Sequence, residues 1–74
     1  KDEEVREWLA QNHNLVEFLQ YKLANDENEW VRRYLAENPN IIESVQLKLA
    51  SDKNEKVREA LAKNPNLSKT FKIY

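Results

Sequence analysis

His13 is the only histidine in the chain, and cysteine is absent. Those two facts govern most of the chemistry the sequence could support. Zinc is held by clusters of Cys, His and carboxylates, so one histidine without a thiol makes no metal site. Without cysteine there is neither a disulfide framework nor an iron–sulfur cluster. Ser44, Ser51 and Ser68 have no histidine in register to activate them as nucleophiles. Glycine is also absent, which removes the Gly-rich loops that cradle phosphates and dinucleotides. The acid pairs Glu3-Glu4 and Asp26-Glu27 fall where helices begin. There the helix macrodipole favours negative charge, and capping accounts for them better than acid–base catalysis. The sequence thus points away from an enzyme and assigns no catalytic residue, cofactor or metal. What remains is a row of arginines, Arg6, Arg32 and Arg58. A guanidinium row can bind anionic groups or bridge neighbouring elements.

The spacing of that row leads to the elements that carry it. Shifted by 26 residues, the chain matches itself. Val5-Arg6 recurs as Val31-Arg32 and Val57-Arg58; Leu9-Ala10 recurs as Leu35-Ala36 and Leu61-Ala62. Residues 1–25 and 27–51 agree at 12 of 25 positions, far above chance for unrelated segments. Three tandem repeats follow, approximately 1–25, 26–51 and 52–74. Each reads as two short helices. Asp26 with Glu29, and Asp52 with Glu55, fit a capping box before the first helix. That helix is expected to stop near Glu37, because the residue before Pro39 is pushed out of the α region. Asn14 and Asn40 are expected to cap the second helix, whose apolar positions are Val16, Leu19 and Leu23 in one repeat and Ile42, Val45 and Leu49 in the next. Six helices of roughly ten residues are too short to stand alone and must stack.

Trp8, Phe18 and Tyr21 make the first repeat read as an internal one, with nothing before it to cover Val5, Trp8 and Leu9. A chain that opens on Lys1 in this way points to a fragment of a longer array, or to self-association at that end. The sixth helix carries Ser68 where Ile42 sits, and more lysine, which suits a C-terminal cap.

At 100° per residue, Tyr21 falls nearly opposite the core direction set by Leu19. Its repeat equivalents are Leu47 and Ile73. Tyr21, Leu47 and Ile73 form an apolar column bordered by Gln20 and Gln46, a candidate protein-binding stripe. The competing reading is that the column is inter-repeat packing. The row Trp8, Tyr34 and Ala60 on the first helices, with Trp30 beside it, reads as packing between repeats. Nucleic acid is the alternative partner. The third repeat carries Lys53, Lys56, Arg58, Lys63, Lys69 and Lys72 against three acids, a net charge of +3, whereas each of the others carries −2. Phosphate binding calls for a domain-wide basic footprint, and this one is local.

The unit D-x-N-E-x-V-R-x-x-L-A-x-N-P-N stands here as Asp26, Asn28, Glu29, Val31, Arg32, Leu35, Ala36, Asn38, Pro39 and Asn40, and again from Asp52 to Asn66. It resembles the leucine-rich repeat variant family and, more loosely, short HEAT-type repeats, over the whole chain. The unit is 26 residues rather than the roughly 40 of HEAT repeats. The resemblance implies an armadillo-like right-handed α-solenoid whose second helices line a concave binding face. It also implies a ladder of Asp and Arg between repeats, for which Asp26 with Arg32 and Asp52 with Arg58 have the spacing. A capping carboxylate has a second oxygen free for an arginine fork, which makes such a ladder physically sound. The expectation is an all-α superhelix of three two-helix repeats. Its expected role is a non-catalytic scaffold for protein–protein interaction, or else a purely structural, self-associating module. No apolar run approaches the roughly 20 residues of a membrane helix, and a cysteine-free chain fits the cytoplasm.

Overall fold

The apolar positions that recur at helical spacing do form helices. In a computed structural model that describes residues 2–67, the chain runs α1 (Asp2–Ala10), α2 (Glu17–Ala24), α3 (Glu29–Glu37), α4 (Glu43–Ala50) and α5 (Glu55–Ala62). No strand occurs among the described residues. The sixth expected helix, with Ile73, Ser68, Lys69 and Lys72, lies outside them. α3 ends at Glu37, and Asn38 is extended at φ −68°, ψ 122°, as its place before Pro39 requires.

The caps differ from expectation. α3 and α5 are capped by Asn28 and Asn54, two residues later than Asp26 and Asp52. Asn28 Oδ1 accepts from the backbone N–H of Trp30 (2.8 Å) and Val31 (3.3 Å), and Asn54 Oδ1 from that of Lys56 (2.7 Å). Asp26 and Asp52 sit one step back, each accepting the N–H of the capping asparagine at 2.9 Å. This Asx turn aims the chain into the helix and leaves the second carboxylate oxygen for another partner. Nor do Asn14 and Asn40 cap the second helices. The cap positions are Val16 and Ile42, neither with a side-chain bond of its own. At α4 the missing acceptor comes from another helix: Gln20 Oε1 accepts the N–H of Ile42 at 2.9 Å.

No described residue has a positive φ. The turns are built from Asn, Asp and Pro in ordinary conformations, so a chain without glycine loses nothing at them.

α3 is the central element and packs against α1, α2, α4 and α5. Val31, Leu35, Val45, Leu49 and Val57 are fully buried. Ala10, Leu23, Ala36, Ile41 and Leu61 close the same core. Each buried Val or Leu side chain contributes about 2 kcal/mol. Short helices are held by this shared core rather than by their own propensity. The radius of gyration, 11.0 Å, is that of a compact chain of this length.

Two apolar expectations fail in the first repeat. Val16 was placed in the core by periodicity and is exposed, whereas its counterpart Ile42 is half-buried against the core. Trp8, placed in a packing row, is 77% exposed. Tyr34 and Ala60, its counterparts, do pack on the core. Among the described helices α1 packs only against α2 and α3, so nothing among them covers Trp8.

Candidate interaction surface

Three sets of side chains hold the helices in register and so decide which others stay on the surface. The first is a pair of buried asparagines. Asn38 Nδ2 donates to the carbonyls of Ala10 and Asn12, both at 2.8 Å. Asn64 Nδ2 repeats the arrangement on Ala36 (2.8 Å) and Asn38 (2.9 Å). The carbonyls at the end of one first helix are thereby satisfied by the asparagine that ends the next. Asn40 and Asn66 add exposed bonds to the carbonyls of His13 (2.8 Å) and Pro39 (3.0 Å). In the sequence Asn38 and Asn64 stand out only as members of the repeated N-P-N unit. The available signal was that Asn12, Asn38 and Asn64 hold one register, at a site where a turn alone would accept Asp or Ser.

The second set is the Asp–Arg ladder, with partners displaced from the expected ones. Arg32 Nε donates to Asp52 at 2.8 Å, and Arg6 forks onto both oxygens of Asp26. Each arginine therefore grips the acid 20 residues ahead, not the one six behind. To the residue six behind it gives only a backbone bond, Arg32 Nη1 to the Asp26 carbonyl at 2.6 Å and Arg58 Nη1 to the Asp52 carbonyl. The hydrogen bond to Asp26 holds the Arg6 guanidinium above its ordinary pKa. A raised cationic pKa gives stability that is complete below the usual arginine range and lost only as pH climbs through the raised value. The groove around this ladder is lined by Asp26, Glu27, Arg32, Lys48 and Asp52 among others. Arg32 is buried with its charge neutralised by Asp52, so the arginine row offers no open anion site at its centre.

The third set is the glutamines. Gln20 and Gln46 were expected to border the exposed column and are instead buried. Gln20 Nε2 donates to the Leu15 carbonyl (2.9 Å) while its Oε1 caps α4; Gln46 Nε2 donates to Ile41 (3.1 Å). A buried amide needs such partners, and a glutamine that has them is a staple, not a contact residue.

The column itself is on the surface where it is described. Tyr21 is 41% exposed and Leu47 57%. They stand on α2 and α4, which pack side by side. The Tyr21 hydroxyl hydrogen-bonds the Ser44 hydroxyl and ties the two helices together on that face. Ile73, the third member, lies outside the described residues. Phe18 is exposed on α2, with the Lys22 ammonium 5.5 Å from its ring centre. On α3 the Arg33 guanidinium covers the exposed Trp30 ring at 3.8 Å, and Tyr34 lies 6.1 Å from it.

His13 is exposed, and Ser44 is engaged by Tyr21. Among the described residues no three His, Cys, Asp or Glu side chains are grouped to hold a metal ion. No helix among them is long and apolar enough to cross a membrane. Of the third repeat's cations, Lys53, Lys56, Arg58 and Lys63 are described, and Lys56 lies 3.7 Å from Glu59. The chain matches no family model, no curated protein and no solved structure.

Proposed function

We propose that this chain is a non-catalytic helical-repeat scaffold that binds a protein partner through the apolar column of its second helices. We read the architecture as a right-handed solenoid of three 26-residue repeats, of the leucine-rich repeat variant or short HEAT-like kind. The recurrence of the Asn38 and Asn64 bonds 26 residues apart supports that reading, as does the sequence resemblance. We place the scaffold in the cytoplasm on its cysteine-free composition. The observation that carries the binding site is the exposure of Tyr21 and Leu47 on adjacent helices, beside glutamines that are buried and hydrogen-bonded to backbone. The column stands on two helices tied together by the Tyr21–Ser44 bond, and its apolar side chains face outward. A partner would gain their burial without ordering the scaffold.

The test is cross-linked capture from cell extract with the wild-type chain and with Tyr21→Glu/Leu47→Glu, both checked for helicity. Loss of the captured band in the double variant is the expected result. Equal capture by the two would eliminate the column as the site. Nucleic-acid binding is the weaker reading, because Glu55 and Glu59 interleave with Lys56 and Arg58 on α5 and Lys56 is paired. A salt-sensitive mobility shift with short duplex or single-stranded DNA would revive it.

A further inference from the structure

The face of α1 that points away from α3 is built like faces that are covered elsewhere in the same molecule. Val5, Leu9 and Asn12 hold the register of Val31, Leu35 and Asn38, and of Val57, Leu61 and Asn64. In the second and third repeats this set is buried. Its cover is each time the same: the preceding first helix and the carbonyls that end it. In the first repeat Val5 is 65% exposed, Trp8 more so, and Val16 and Phe18 are exposed as well. Asn12 Nδ2 has no acceptor among the described residues, although its Oδ1 already holds Asn14 in the geometry Asn38 uses to hold Asn40.

The opposite end of the described chain carries the groups that would complement it. The carbonyls of Ala62, Asn64 and Pro65 stand in the register of Ala36, Asn38 and Pro39, which accept the next repeat's asparagines. Arg58 holds the register of Arg6 and Arg32, both of which spend Nε on a following aspartate. Arg58 bonds only the Asp52 carbonyl and has no carboxylate partner among the described residues. Charge agrees with shape. Asp2, Glu3 and Glu4 crowd the first turn of α1, while Lys56, Arg58 and Lys63 stand on and just after α5.

We propose that the N-terminal face of this chain docks the C-terminal face of a second copy, so that copies join head to tail. Val5, Leu9 and Trp8 of one copy would pack on α5 of the other. Asn12 would take the carbonyls after α5, and Arg58 would meet the acidic first turn. The contact is heterologous, so each copy uses one face of each kind and the assembly grows beyond a dimer. This inference rests on the stacked-repeat reading above but uses a face separate from the Tyr21–Leu47 column.

The test is sedimentation velocity over a wide range of protein concentration. Wild type is expected to gain mass with concentration, less so at high salt, because opposite charges meet at the contact. Trp8→Glu disables the N-terminal face and Arg58→Glu the C-terminal face; each alone should associate at least tenfold more weakly. Mixed one to one, the two variants retain one intact face each and should form a dimer that grows no further. Both substitutions fall on exposed side chains. Should either lose helicity, Val5→Glu and Lys63→Glu replace them. A wild type that stays monomeric throughout would overturn the proposal and leave the face to an upstream repeat or an unrelated partner. Undiminished association of Arg58→Glu alone would overturn it too, since two N-terminal faces would then be meeting. Tyr21→Glu/Leu47→Glu should associate like wild type, which separates failure here from failure of the column as a partner site.

Discussion

Val5 and Val31 occupy the same place in two closely similar helices, α1 and α3. One is 65% exposed and the other wholly buried. The same division runs through the register. Leu9 is half-buried and Leu35 fully buried; Arg6 keeps a third of its side chain in water and Arg32 almost none. Asn12 lies on the surface, while Asn38 donates to two carbonyls from inside. The residues compared are identical in type at all four register positions. A residue's energetic weight in this molecule therefore comes from the helix packed against it, not from its own helix.

Substitutions at paired positions measure this difference in burial. Leu35→Ala is expected to cost about 3 kcal/mol of unfolding free energy, since a fully buried leucine leaves a cavity behind. Leu9→Ala should cost about 1 kcal/mol, because that leucine loses only partial burial. Urea unfolding of both variants measures the gap, and equal losses would contradict the one-sided cover of α1. Asn38→Ala comes next, at about 2 kcal/mol, because it strands the carbonyls of Ala10 and Asn12. Asn12→Ala gives up one exposed bond to the N–H of Asn14 and should barely move the urea midpoint. The smallest contrast concerns the ladder. Arg32→Lys keeps the charge but loses the fork between Asp52 and the Asp26 carbonyl, a loss of about 1 kcal/mol. Arg6→Lys, at the more exposed rung, should give a smaller shift in thermal midpoint. If head-to-tail contacts form, Leu9→Ala grows costlier at high protein concentration and the gap to Leu35→Ala narrows.

Much of the architecture was legible in the residues. The 26-residue period, the two helices in each of the first two repeats and the stop before Pro39 follow from spacing and from proline sterics. Cap positions were not legible to the residue. Asp and Asn both suit a helix start, and only the Asx turn at Asp26 shows that the acid aims the chain while Asn28 caps it. Gln20 misled for a related reason. Periodicity places it beside Tyr21, but a long amide can fold back to reach a neighbour's backbone, as Gln20 does at Ile42.

By itself the sequence determined the helical class, the repeat length, the absence of thiol and glycine chemistry, and the outward register of Tyr21 and Leu47. Those depend on residue type and on the 3.6-residue period, which are local properties. Tertiary structure alone decided the ladder's true pairing, with Arg32 on Asp52, the burial of Gln20, Gln46, Asn38 and Asn64, and the exposure of Val5, Trp8 and Val16. These depend on what stands in the adjacent layer. A repeated sequence offers several acids and carbonyls at equivalent spacings, and only packing selects which of them comes within hydrogen-bond reach.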